Sequence, residues 1–147
     1  MQLPSILLVE DNPQDEMLTL RAFRKAGLQN TVDVVRDGQQ ALDYLFCEGE
    51  FADRDARLPV AVLLDIGLPR ISGLEVLHRL RADPRTSTLP IVILTSSDDE
   101  RDRLSSYANG CNSFVRKPVQ FAEFAETVAR IGVYWLAVNQ PPRKDPP

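Results

Sequence analysis

Three acids, a hydroxyl pair and a lysine fall at the ends of aliphatic runs. Glu10 and Asp11 follow SILLV (5–9), and Asp65 follows VAVLL (60–64). Thr95 and Ser96 close IVILT (91–95), and Lys117-Pro118 comes just after SFV (113–115). A carboxylate at the end of a core strand is costly to bury unless something neutralises it. Three carboxylates in one cleft repel one another, and each has a raised pKa without compensation. A hard divalent cation is the usual remedy, and Mg2+ prefers one or two carboxylates plus waters and a phosphate. Lys117 offers a point charge for an anion. Thr95 and the backbone N–H beside Ser96 offer hydrogen bonds to phosphate oxygens. An aspartate with Mg2+, a lysine and a hydroxyl around it suits a phosphoryl acceptor: the carboxylate attacks while the metal and the lysine hold the charge.

Such a cleft needs elements that bring these strand ends together. A fifth run, TVDVV (31–35), alternates more than the others, with Asp33 between valines, which predicts a sheet edge. Helical stretches separate the runs. Residues 14–26 carry Leu18, Ala22 and Ala26 at four-residue spacing beside Phe23, and Gly27 stops the helix. Asp37 caps a helix over 38–46, Gly73 precedes one over 74–82, and Asp98 or Asp99 caps one that ends near Asn109 and Gly110. A last helix spans about Gln120 to Val138. Strands alternating with helices predict an α/β fold: a flavodoxin-like, doubly wound, five-stranded parallel sheet of order 2-1-3-4-5 with helices on both faces. In that order strands one, three, four and five are contiguous, so their carboxyl-end residues share one edge, where such folds bind ligands.

The 147 residues suit one domain. It is expected over 1–138 with an extended last helix, followed by a proline-rich tail, 139–147, expected to be disordered. Residues 47–59 form a long polar connection. A net charge of −4 and a pI near 5.0 leave no basic footprint for nucleic acid. Cys47 and Cys111 are far apart in sequence and read as packing residues rather than a disulfide or metal pair. No apolar stretch approaches the ~18 residues needed to cross a bilayer, and no signal segment is visible, so a cytoplasmic protein is expected. His78, in EVLHRLR, reads as a helix-surface residue, and Arg143-Lys144 as a solvated part of the tail.

Four motifs, VEDN (9–12), LLDIGLPRISG (63–73), ILTSS (93–97) and FVRKP (114–118), stand in order on these elements. With them the chain resembles the receiver domain of bacterial two-component response regulators over about residues 4 to 138. The resemblance implies that Asp65 is the phosphoacceptor, Asp11 the metal-binding acid, Glu10 the second acid, and the Gly67 carbonyl a further Mg2+ ligand. It implies Thr95 as the switch hydroxyl, Phe114 as the aromatic that responds to it, and Lys117 as the phosphate-binding lysine. It also implies a cis peptide at Lys117–Pro118. EDNPQD (10–15), the 47–59 connection and the ending YWLAVNQPP resemble stand-alone regulators paired with phytochrome-type histidine kinases. Two positions depart from the family pattern. Gly67 replaces a larger residue, and Ser72 stands where an acid or amide often precedes the glycine. Family behaviour further suggests that Gly67 and Ser97 tune loss of the phosphoryl group.

The expected function is therefore receipt of a phosphoryl group from a histidine kinase, with a changed surface as the output and no output domain after residue 138. Within the last helix, Phe121, Phe124, Ala125, Val128, Trp135 and Leu136 read as a core stripe. Ile131, Tyr134 and Val138 read as a second stripe, expected to form a homodimer face. Two alternatives remain open. One is a Mg2+-dependent phosphatase, weakened because Gly67 stands where such enzymes commonly place a second acid. The other is a non-phosphorylated docking module.

Overall fold

The computed structural model describes residues 3–142. Its elements are β1 (Ile6–Val9), α1 (Pro13–Lys25), β2 (Val32–Val35), α2 (Gly38–Phe46), β3 (Ala61–Leu64), α3 (Gly73–Ala82), β4 (Ile91–Thr95), α4 (Glu100–Ala108), β5 (Ser113–Arg116) and α5 (Phe121–Val133). A π-helical segment, Tyr134–Val138, continues α5. All strand pairs are parallel, in the order β2-β1-β3-β4-β5.

The continuous aliphatic runs become the strands because both faces of the sheet are covered. On one face Leu7, Val9, Val62, Leu64, Ile91 and Ile93 pack with α2 and α3 residues such as Leu42, Leu45, Val76 and Leu80. On the other, Ile6, Leu8, Leu63, Val92 and Leu94 pack with Phe23 of α1 and with Phe124, Val128 and Ile131 of α5. Alternate strand residues thus serve opposite faces. The more polar β2 is an edge strand, as is β5 on the other side, and Asp33 of β2 accepts a hydrogen bond from the Tyr44 hydroxyl of α2.

Caps set the helix starts. Asn12 accepts from the Gln14 and Asp15 N–H groups, Asp37 from Gln40, Ser72 from Glu75 and Asp99 from Arg101. Each satisfies an N–H group that the first helical turn leaves without a partner. The 47–59 connection holds a short 3-10 turn, Gly49–Phe51. Its Arg54 lies 4.0 Å from the Tyr44 ring centroid and donates to the Tyr44 carbonyl at 2.8 Å. A cation on an aromatic face gives this polar segment a fixed seat.

The last helix differs from expectation in three ways. Ile131 is only 8% exposed and belongs to the core beside Val128, so it leaves the second stripe. Its spacing explains this: Phe124, Val128 and Ile131 repeat at four and three residues along one face. Phe121, expected in the core, is 63% exposed because it opens α5. The helix also widens at its end, where the Asn139 N–H donates to the Tyr134 carbonyl five residues back. Tyr134 and Val138 are exposed, while Trp135 and Leu136 pack partly against the core. Beyond them, Gln140, Pro141 and Pro142 line a groove with Leu58, Pro59 and Pro90, next to the starts of β3 and β4. Residues 143–147 of the expected tail, including Arg143-Lys144, lie outside the described residues.

Candidate functional site

The sheet ladder reaches one residue past the strands. The Glu10 N–H donates to the Val35 carbonyl at 3.0 Å, that of Asp65 to Val9 at 3.3 Å, and that of Lys117 to Thr95 at 2.7 Å. Each site residue is therefore held by the same hydrogen bonds that build the sheet, at the carboxyl ends of its strands.

The side chains converge on Lys117. Its Nζ lies 2.6 Å from Glu10 Oε1, 2.9 Å from Asp65 Oδ2 and 2.9 Å from Asp15 Oδ2. Glu10 is 2% exposed, Lys117 7% and Asp65 8%, while Asp11 is exposed. Burial pushes the Glu10 carboxyl above its ordinary pKa, against the opposing pull of Lys117. Burial alone would lower Lys117, but the carboxylates Glu10, Asp65 and Asp15 overcome it and hold the ammonium well above the usual lysine range. Both second oxygens are also engaged: Glu10 Oε2 accepts from the Asn12 N–H at 3.2 Å, and Asp65 Oδ1 from the Gly67 N–H at 3.2 Å.

One carboxylate oxygen each from Glu10, Asp11 and Asp65 lies within 4.8 Å of the others. With Asp15, the site gathers four carboxylates and one ammonium, which contacts Glu10, Asp15 and Asp65. This excess of hard oxygen donors, together with the raised Glu10 pKa, fits a divalent cation such as Mg2+. Gly67 lies exposed on the β3–α3 loop, and a Cβ built on it meets nothing within 4 Å, so the approach to Asp65 is open there.

Thr95 is buried at the end of β4, and its Oγ1 accepts from the Ser97 N–H at 3.3 Å. Ser96 is exposed. The Ser97 hydroxyl donates to Asp102 Oδ2 at 2.7 Å, tying the β4–α4 loop to the first turn of α4. Phe114 pairs with Ile93 across the β4–β5 ladder and packs against the α2/α3-side core. Thr95 is two residues beyond Ile93, so Phe114 and Thr95 stand diagonally on the same face. His78 lies exposed on α3, and both cysteines are free.

One implied feature is corrected. No cis peptide bond occurs among the described residues, so Lys117–Pro118 is trans. The trans form is the intrinsic preference even before proline, by about 0.5–1 kcal/mol. With a trans bond here, Lys117 still reaches all three carboxylates.

Reading by strand ends passes over two kinds of residue. Asp15 lies on the first turn of α1, where an acid is ordinarily explained by the helix dipole. Its position close behind the strand-end acids was the available signal. The other kind is glycine. A Cβ on Gly73 would lie 2.1 Å from the Asp65 carbonyl oxygen, and one on Gly38 would lie 2.0 Å from that of Ile71. These positions press the β3–α3 loop against α2 and the start of α3, and only the fold reveals the close approach.

The response regulator receiver domain family matches residues 6–129. The chain is 42% identical to the probable methanogenesis regulatory protein FilR2 of Methanothrix harundinacea over 93% of this chain and 86% of that one. It is 31% identical to response regulator Rcp1 of Synechocystis over 89% of this chain and 88% of that one. The Mn(2+)-bound structure of Rcp1 superposes with a TM-score of 0.89 at 30% identity, covering 95% of this chain and 99% of that one. The phosphorylated cyanobacterial phytochrome response regulator RcpA superposes with a TM-score of 0.89 at 35% identity, covering 96% and 99%. With its parallel sheet of order 2-1-3-4-5, this chain belongs to the response regulator receiver family and is a two-component response regulator.

Proposed function

We propose that Asp65 accepts a phosphoryl group from a phosphohistidine of a histidine kinase, in a cytoplasmic signalling pathway. One observation carries this reading: the Lys117 ammonium sits 2.9 Å from an Asp65 carboxylate that also belongs to a three-acid group at the sheet's carboxyl edge. An Asp65 carboxylate oxygen forms the bond to phosphorus as the P–N bond breaks, and the electron pair leaves with the imidazole nitrogen. Lys117 turns a hydrogen bond from a carboxylate to a phosphoryl oxygen. Thr95 and the backbone N–H beside Ser96 complete the donors. When bound by Glu10, Asp11, Asp65 and the Gly67 carbonyl, Mg2+ supplies neutralising charge at the transferred group. The same residues support self-phosphorylation from small phosphodonors and hydrolysis of the product. The bare Gly67 leaves water a wide approach.

The Thr95 hydroxyl, drawn toward the phosphoryl group, gives up its contact with Ser97, and Phe114 follows into the space. The affected surface is the α4–β5–α5 face, where Leu104, Tyr107, Val119 and Phe121 are exposed. A change of partner preference there is the output. The similarity to RcpA supports a phytochrome-type kinase as the donor. Exposed Tyr134 and Val138 support a homodimer through the end of the last helix.

Incubation with acetyl phosphate and Mg2+ tests the acceptor assignment. Intact-mass measurement is expected to show one phosphoryl adduct on the wild type and none on Asp65→Asn. An adduct of equal yield on that variant places the chemistry elsewhere.

A further inference from the structure

Asp15 has no part in the reading above, yet it takes one of the Lys117 hydrogens. An ammonium has three donors and no acceptor. Glu10, Asp15 and Asp65, at 2.6, 2.9 and 2.9 Å, saturate it. Two of these partners have other duties. Glu10 and Asp65 belong to the three-acid group that can hold a cation, and Asp65 is the proposed acceptor. Asp15 lies outside that group. It is carried on α1, whose start is fixed by Pro13 and by Asn12, which accepts the Asp15 N–H at 3.1 Å. Lys117, in contrast, sits in the segment between β5 and α5, on a long side chain with many rotamers to lose.

We propose that Asp15 is a positioning residue for phosphoryl transfer, whose carboxylate anchors Lys117 Nζ beside Asp65 from a helix that supplies none of the reacting or metal-binding groups. The proposal rests on Asp65 as the phosphoacceptor. Glu10 and Asp65 change partners during the reaction, while Asp15 does not. Without this anchor the ammonium pairs more fully with Glu10 and Asp65. That shields the attacking carboxylate and sets the lysine in competition with a divalent cation for the same oxygens.

The test uses the full chain with acetyl phosphate. The Asp65 oxygen bonds to phosphorus as the P–O bond to the acetyl group breaks, and acetate leaves with the electron pair. Intact mass follows the rate, and calorimetry measures Mg2+ affinity separately. Asp15→Ala is expected to slow phosphorylation on the order of tenfold, below the roughly hundredfold that a ~1 Å misplacement can cost, because Glu10 and Asp65 still hold the ammonium. Asp15→Asn, which keeps an acceptor in the same place, is expected to restore most of that loss. Mg2+ affinity is expected to fall in Asp15→Ala, and most of that fall is expected to vanish in a Lys117→Ala background. Wild-type rates in Asp15→Ala overturn the proposal. So do equal losses in the Ala and Asn variants, or a fall in Mg2+ affinity that persists undiminished without Lys117. Should Ala weaken α1, Asp15→Ser, too short to reach Lys117, takes its place against Asn. An unphosphorylated wild type sinks the acceptor reading and this proposal together. A phosphorylated wild type matched by Asp15→Ala sinks this proposal alone.

Discussion

Glu10 and Lys117 show how charge is kept inside this fold. Each is nearly inaccessible, and each would be costly to bury alone. The ammonium spreads its three hydrogens over three carboxylates, yet Glu10 remains pushed toward its protonated form by burial. A group whose pKa is raised in the folded state contributes stability below its unfolded pKa. That stability is lost as pH rises through the folded value. Glu10→Gln mimics the protonated form, so the balance is expected to move in favour of the variant as pH rises. Melting curves without divalent cations, from about pH 4, near the ordinary glutamate pKa, up to about pH 7, check this. A variant that loses ground against the wild type at the higher pH contradicts the burial argument. For Lys117 the sign is the same, but the loss comes only as pH rises through a folded value far above this interval, so Lys117 stays charged at both pH values.

At the scale of elements, the β3–α3 loop depends on glycine at its far end. The Gly73 N–H donates to the Ile66 carbonyl at 2.9 Å, which folds the loop back toward Asp65. A Cβ on Gly73 would meet backbone rather than a flexible side chain, so the clash has no cheap relief. Gly73→Ala is expected to destabilise by about 2 kcal/mol or more, within the range for overpacked positions. It is also expected to slow phosphorylation, because the strain falls on the Asp65 backbone. Denaturant unfolding and the acetyl phosphate assay measure the two effects. Normal stability with normal rate would show that the loop moves freely. Strand and helix boundaries were legible to within a residue or two, because buried parallel strands are continuous apolar runs and helix starts carry side-chain caps. Asn12 and Ser72 cap as well, through a side-chain oxygen that accepts from the first helical turn.

At the scale of the whole molecule, the exposed end of the last helix is the proposed assembly surface. Tyr134 and Val138 are exposed there, and Ile131 is not available to join them. The proposed homodimer must therefore use a smaller patch, to which the exposed Val133 can add. Tyr134→Glu with Val138→Glu is expected to shift sedimentation velocity toward monomer while the chain stays folded, since both side chains are exposed. A dimer that survives both charges must use another surface, such as the exposed Leu104 and Tyr107 of α4.

The order of motifs and the alternation of apolar runs with capped helices determined the fold, because strand and helix periodicities are local properties of the chain. The strand-end residues Glu10, Asp11, Asp65, Thr95 and Lys117 were legible for the same reason: once the strand order is known, the ends of neighbouring strands must meet. Only the tertiary structure decided which side chains Lys117 grips. Asp15 reaches it across a helix start, a contact between residues 102 apart in sequence that no local pattern encodes. The structure alone also decided that Ile131 belongs to the core and Phe121 to the surface. A helical stripe gives the direction of a side chain, but the length of the sheet beneath it settles where burial begins and ends.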